Sequence, residues 1–263
     1  MKSIFLKRKS LAFLGLVCAL IVAGCATSQT QKAGLKPAVD VSIYPTNSAG
    51  LPGKGPYQSW DGFKKVWAQR HAEWKQTKAA DKGAVVFLGD SITQGWRSLS
   101  NDFSNLHVAN RGISGDTTCG VWFRLDDDVI DLSPEAVVLL IGTNDIGLGA
   151  DPADVADNIR HILQALRKSN HRMPIILCHV MPRADRNLHA EGKIMKLNSL
   201  LDEIAKSVKG VTVCDTWSIY ADANGDCSKA EFPDLLHPNA IGYAKWVAAL
   251  NPIFALVKIK KVN

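Results

Sequence analysis

The chain has 263 residues, 46% of them hydrophobic and 21% charged, with 31 Lys plus Arg against 25 Asp plus Glu. These proportions describe an ordinary globular protein and exclude a disordered, collagenous or multi-span membrane chain. The net charge of +6 includes Lys2, Lys7, Arg8 and Lys9, all ahead of the first acidic residue; without them 27 cations face 25 acids, too small an excess for a nucleic-acid binder. In chain order, those four cations lead into an uninterrupted apolar run at 11–24, the n-region and h-region pattern of a secretory signal. Its 14 residues are too few to span a bilayer as a helix, which takes about 20.

The run closes on Ile21-Val22-Ala23-Gly24-Cys25, which resembles the lipobox at which bacterial lipoproteins are cleaved and lipidated on the new N-terminal Cys. The resemblance implies a signal peptide at 1–24, a lipid anchor on Cys25 and an extracytoplasmic location on a bacterial membrane. Ala26 and Thr27 lack the acidic residue associated with inner-membrane retention in some bacteria, which favours the outer membrane. Residues 25–56 are rich in Ser, Thr, Gln, Gly, Pro and Lys, cannot build a core, and read as a flexible tether that holds a soluble domain near the membrane. Four thiols remain beyond it: Cys119, Cys178, Cys214 and Cys227. An oxidising compartment permits disulfides, and Cys214 could pair with Cys227 across a loop, whereas Cys178 sits in an apolar run as a small buried hydrophobe.

The rest of the chain, 57–258, reads as one domain. A polar, Trp-containing helix is expected at 60–77, and after Gly83 short β runs alternate with longer helical ones. Strands are expected at 84–88, 107–110, 136–141, 174–180 and 211–214. Consecutive apolar positions such as Val137 to Ile141 suggest burial on both faces of a parallel sheet. Asp151 and Pro152 supply an N-cap and a first-turn proline for a helix whose Val155, Ile159, Ile162, Leu163 and Leu166 share one face. Ile194, Leu197, Leu201, Ile204 and Val208 do the same for the next helix, and further helices are expected at 117–131 and 240–256. About five βα units make a three-layer, doubly wound α/β domain with a mainly parallel five-stranded sheet. In such sheets ligands bind beyond the carboxyl ends of the strands.

Just there, Gly89-Asp90-Ser91 follows the first strand and Gly142-Thr143-Asn144-Asp145 the third. A serine at a strand end more often caps a turn than catalyses, and an Asp and His three apart more often open a helix. The combination is different: Asp234 and His237 stand in a loop entering the last helix, spaced so that the carboxylate can reach the imidazole and set its tautomer. Acyl transfer needs a hydroxyl, a base, an acid to orient the base, and donors for the developing oxyanion. Ser91, His237 and Asp234 fit the first three roles, and the Asn144 amide fits the fourth. A glycine in Arg111-Gly112-Ile113-Ser114-Gly115-Asp116 would let a backbone N–H approach the substrate closely.

Gly89-Asp90-Ser91, the Gly115 turn, Gly142-Thr143-Asn144-Asp145 and Asp234-x-x-His237 resemble, in order over about 84–255, the four blocks of SGNH hydrolases, the GDSL-type esterases. Asn110 to Thr117 and His237-Pro238-Asn239 resemble the branch that includes platelet-activating-factor acetylhydrolase catalytic subunits and bacterial acetyl esterases. The resemblance implies the flavodoxin-like SGNH fold, Ser91 as nucleophile, His237 as base and Asp234 as orienting acid. It also implies an oxyanion hole from the Ser91 and Gly115 N–H groups plus Asn144, with Gly112 as the rival for the Gly115 role. No cofactor or metal is called for. The substrate expected is a short acyl ester, above all an O-acetyl group on carbohydrate or envelope glycan. The alternatives are a lysophospholipase or thioesterase, which needs a longer apolar groove, and a non-catalytic glycan-binding lipoprotein.

Other motifs fail their tests. The α/β-hydrolase elbow Gly-x-Ser-x-Gly is absent around Ser91, and Ser114 lacks its spacing. Asp222, Asn224 and Asp226 start like a calcium loop, but Cys227 and Pro233 occupy the positions that need Gly and Glu. No zinc spacing links the other six histidines, which read as surface or structural. Asp126 to Asp128 reads as a solvated helix face, and Trp96, Trp122 and Arg183 as either pocket lining or packing.

Overall fold

The computed structural model describes residues 61–184 and 190–262. The expected signal at 1–24, Cys25 and the tether at 25–56 lie outside the described residues. Five strands, β1 (Val85–Gly89), β2 (Val108–Gly112), β3 (Ala136–Leu140), β4 (Ile175–Cys178) and β5 (Val211–Cys214), form one sheet in the order β2-β1-β3-β4-β5. Every pairing is parallel, with Gly89 opposite both Gly112 and Leu140. Each strand end lies within two residues of its expected bound. The order reverses between β1 and β3, so the loops that leave these two strands flank the switch point where a doubly wound sheet opens a crevice.

Eight α-helices complete the described chain: α1 (Asp61–Thr77), α2 (Ser91–Gln94), α3 (Leu99–Asp102), α4 (Thr118–Asp128), α5 (Thr143–Gly147), α6 (Pro152–Ser169), α7 (Ala190–Ser207) and α8 (Ala240–Leu256). A 3-10 turn, Ile130–Leu132, ends the helix expected to run on from 117 to 131. α6 starts as its sequence requires: Asp151 accepts the Ala153 N–H at 2.8 Å, and Pro152 occupies the first turn. The sheet separates two cores because strand side chains alternate. Val86, Leu88, Val137, Leu139 and Leu177 pack with α4, α6 and α7, while Phe87, Val138, Leu140, Ile176 and Cys178 pack with α2, α3 and α8. On the second face Trp96 stacks on Trp246 at 4.7 Å and on Tyr243 at 4.9 Å.

One expectation is corrected here, and two readings that the sequence leaves open are decided. Asp128 is buried rather than solvated, since its carboxylate meets His71 at 3.0 Å and Arg124 at 3.5 Å; only Asp126 and Asp127 face outward. Cys214 and Cys227 are both free thiols; Cys214 lies in register with Cys178 on the neighbouring strand, which points its side chain into the α8 core. Trp96 and Arg183 are packing residues: Trp96 is in the aromatic core, and Arg183 donates to the Thr143 carbonyl at 3.1 Å.

Candidate active site

Asp90 and Ser91 turn the chain directly from β1 into α2. The Asp90 carboxylate accepts the Ile92 N–H at 2.9 Å, and the Tyr243 hydroxyl donates to the Ile92 carbonyl at 2.7 Å, so a strand, a cap and α8 together fix the helix that begins with Ser91. Across 146 residues of sequence, the Ser91 Oγ meets His237 Nε2 at 2.8 Å. His237 Nδ1 lies 2.7 Å from Asp234 Oδ2, while Asp234 Oδ1 accepts the backbone N–H groups of Leu236 at 3.0 Å and His237 at 2.7 Å. Burial opposes ionisation of Asp234, but these hydrogen bonds outweigh it and hold the carboxyl below its ordinary value.

The loop between the two residues is strained. Leu235 has φ of 63°, a left-handed conformation that costs a residue with a Cβ about 1–2 kcal/mol. Its carbonyl accepts the Ala184 N–H at 3.1 Å and its N–H donates to Phe232 at 2.8 Å, contacts that hold the bend while Asp234 and His237 face each other.

Asn144 opens α5 beyond β3, and one N–H of its side-chain amide donates to the Asp116 carbonyl at 2.8 Å. Because an amide carries two such donors, that bond orients the group without consuming it. Gly115 directly precedes Asp116 in the turn after β2, at φ of 84°, where a residue with a Cβ would be strained. The two glycines named for this turn therefore separate. The Gly112 N–H is taken by the Asn110 side chain at 3.0 Å, and a Cβ on Gly112 would come within 2.2 Å of the Gln94 nitrogen, so this glycine serves close packing of β2 against α2. Gly115 lines the cleft together with Ser91, Asn144 and His237.

Beneath this cleft lies a buried polar scaffold. Arg124 on α4 is fully buried, pairs with Asp116 at 2.8 Å, and donates to the Gly89 carbonyl at 3.1 Å and the Arg111 carbonyl at 2.9 Å. One guanidinium thus ties the last residues of β1 and β2 to the turn that carries Gly115. Burial pushes the Asp116 carboxyl up, and the Arg124 charge and hydrogen bonds pull it back. Asp145, beside Asn144, accepts the Thr118 N–H and hydroxyl, yet burial carries its pKa to about 6. Asp90 rises further, to about 7, because burial and the neighbouring Asp116 and Asp145 outweigh the backbone N–H groups of Ile92 and of Asp90 itself.

The cleft itself is small, about 230 Å³. Besides the expected residues it is lined by Ser114, Leu236 and three residues of α1, namely Gly62, Phe63 and Val66. These are the members that sequence reasoning missed. Leu236 could have been inferred from its place between Asp234 and His237; Phe63 and Val66, more than 20 positions before the first motif, carry no local signal. Among the described residues, no group of three or more His, Cys, Asp and Glu side chains could hold a metal. A hydroxyl bonded to an imidazole that is itself bonded to a carboxylate, beside a glycine turn and an oriented amide, can form and break an acyl ester.

Comparison with known proteins agrees with this chemistry. Residues 87–245 match the GDSL-like Lipase/Acylhydrolase family. The chain is 31% identical over 186 residues to platelet-activating factor acetylhydrolase IB subunit alpha2 of Homo sapiens, covering 68% of this chain and 79% of that one. Among solved structures, a GDSL-like lipase from Bacteroides thetaiotaomicron has a TM-score of 0.64 at 27% identity, covering 72% of this chain and 97% of that one. An acetyl xylan esterase has a TM-score of 0.55 at 22% identity, covering 64% and 98%, a likeness of fold.

Proposed function

Because the chain belongs to the GDSL-like lipase/acylhydrolase family and is a carboxylic ester hydrolase, we propose that it is a serine esterase removing short acyl groups, above all O-acetyl, from a carbohydrate or envelope glycan. The observation that carries this reading is the relay from Ser91 through His237 to Asp234, with spacings of 2.8 and 2.7 Å, opening on a cleft of about 230 Å³. In the proposed cycle the Ser91 Oγ attacks the ester carbonyl while His237 Nε2 takes its proton, and Asp234 steadies the imidazolium. The negative charge that develops on the carbonyl oxygen is met by the N–H groups of Ser91 and Gly115 and the free N–H of the Asn144 amide. His237 then returns the proton to the departing alkoxide, leaving an acyl group on Ser91. Water, deprotonated by the same imidazole, releases the acid and restores the hydroxyl.

The short-acyl preference is supported by the size of the cleft, which offers little of the long apolar groove that a lysophospholipase or thioesterase needs. It is further supported by the relative whose name specifies an acetylhydrolase. An intact hydroxyl-imidazole-carboxylate relay leaves the non-catalytic glycan-binding alternative without support. The glycan leaving group follows from the location proposed with it: lipid-anchored through Cys25 on the extracytoplasmic face of a bacterial membrane. A p-nitrophenyl ester series from acetate to palmitate, run beside Ser91→Ala, tests the activity. Turnover should be highest at acetate and vanish in the variant; a maximum at long chains would return the lysophospholipase reading. Membrane fractionation of Cys25→Ser tests the anchor, since protein that stays membrane-bound without this thiol would refute it.

A further inference from the structure

The family match begins at residue 87, so α1, Asp61–Thr77, lies wholly upstream of it, and no block of the resemblance extends to this helix. α1 is mostly polar: only Phe63 and Trp74 are buried, and neither joins the two main cores. They form a separate cluster with Ile113, the residue that follows β2. A helix with so little apolar surface has little to gain from the sheet, yet it is fastened there by an unusual set of polar contacts. Arg70 donates to the Gly112 carbonyl and to the Asn110 carbonyl, each at 3.1 Å. His71 meets the buried Asp128 carboxylate at 3.0 Å. The Trp74 ring lies under three guanidinium groups, those of Arg70, Arg111 and Arg124, at 4.8, 5.0 and 5.4 Å. Arg124 is also the group that ties together the ends of β1 and β2, so α1 is clamped to the scaffold that carries the cleft.

The clamp puts Phe63 and Val66 into the cleft wall. The Phe63 ring is 2% exposed and lies 3.2 Å from where a Cβ on Gly115 would stand, so it packs against the turn assigned to the oxyanion hole. The chemistry decides what that wall faces. A tetrahedral intermediate on Ser91 has four substituents. One is the Ser91 Oγ itself. The oxyanion must point toward Gly115 and Asn144, and the departing oxygen must lie at His237, which protonates it, beside Leu236. The direction left for the acyl chain is the rest of the cleft lining, which is Ser114 together with Gly62, Phe63 and Val66 of α1.

We propose that α1 sets the acyl-chain limit of the enzyme, with Phe63 and Val66 as the residues that admit acetyl and exclude longer chains. The inference rests on the esterase reading and adds to it a specificity determinant outside the family's motifs. The extra room is measured in methylenes, and one methylene in an apolar pocket changes kcat/KM by roughly 10–200-fold.

The test uses the full chain and p-nitrophenyl acetate, butyrate, hexanoate and octanoate. Phe63→Ala should raise the hexanoate-to-acetate ratio of kcat/KM by roughly 10–100-fold, chiefly through KM for the longer ester. Val66→Ala should move the ratio the same way by less, and Val66→Phe should lower butyrate relative to acetate. A series of acetates differing in the alcohol should show no matching change. Val66 is half-buried, so its two variants decide the matter if circular dichroism finds Phe63→Ala unfolded. Folded variants with unaltered acyl preference, or a change that follows the alcohol instead, would overturn the assignment. No Ser91-dependent hydrolysis of any ester by the wild type would refute the esterase reading itself, and the acyl wall with it.

Discussion

The two halves of the candidate site are held by opposite means. On the sheet side, Ser91, Gly115 and Asn144 stand on strand ends over Arg124, Asp116, Asp145 and Asp90, all nearly or fully excluded from water. On the other side, Asp234 and His237 belong to a loop, with side chains 57% and 39% exposed, and are held to each other by hydrogen bonds that span no more than three residues. The oxyanion donors must meet a charge that appears only in the transition state, and a rigid, desolvated scaffold allows them to be aimed in advance. The imidazole must accept a proton from one atom and pass it to another, and a short local loop keeps its partner within reach throughout. Substitutions in the buried scaffold under the sheet side should therefore be felt first as lost stability, and those in the loop as lost turnover.

The largest effect should come from the atoms shared by both halves. Ser91→Ala and His237→Ala should each reduce ester turnover by about 10^4-fold or more, and the double variant should be hardly worse, because nucleophile and base stabilise one transition state. Steady-state kinetics on the three proteins checks this, and losses that multiply would break the pairing. Asn144→Ala, which removes one oxyanion donor, should lower kcat by about 100–1000-fold with the fold retained. A well-folded, fully active variant would make Asn144 structural.

The contrast itself is sharpened by Arg124→Met and Asp234→Asn. The first strands Asp116 as a buried, unpaired carboxylate and should cost about 3–5 kcal/mol in urea melts. The second removes a mostly exposed charge; it should change stability by about 1 kcal/mol or less, yet lower turnover by up to about 10^4-fold by disturbing the imidazole tautomer. Equal stability losses would erase the distinction between the halves.

The smallest effect is a slope with pH. Asp90 titrates near pH 7 in the folded protein and near the ordinary carboxylate value when unfolded. Between those values the folded state holds the extra proton, so this group contributes stability that is present in acid and is lost as pH rises through about 7. Asp90→Asn cannot ionise, so its melting temperature should gain on that of the wild type as pH rises from about 5 to about 8. A constant difference across that range would show that Asp90 is already ionised at pH 5.

The legibility of the site in the sequence follows the same division. Asp234 and His237 are readable because their interaction is local: a spacing of three in a loop constrains where the two side chains can meet. The strands were readable because a parallel sheet buried on both faces demands continuous apolar runs, and the N-cap of α6 because Asp followed by Pro has few other uses. By contrast, Asp128 read as solvated because its neighbours Asp126 and Asp127 are; its burial depends on His71 and Arg124, which reach it from other parts of the chain. Gly112 and Gly115 are rivals for one role in the sequence, and the Asn110 side chain separates them by occupying the Gly112 N–H.

By itself, then, the sequence determined the alternation of strands and helices, the family blocks in their order, and the chemical types able to act at the strand ends. Those properties depend on neighbours a few positions apart, where periodicity and spacing carry the physics. Only the tertiary structure decided that Ser91 and His237 meet across 146 residues, that Arg124 joins the Gly89 and Arg111 carbonyls to the Asp116 carboxylate, and that a polar helix upstream of every motif lines the cleft. Long-range packing sets such contacts, and a local pattern has no means to record which distant surface a side chain will be folded against.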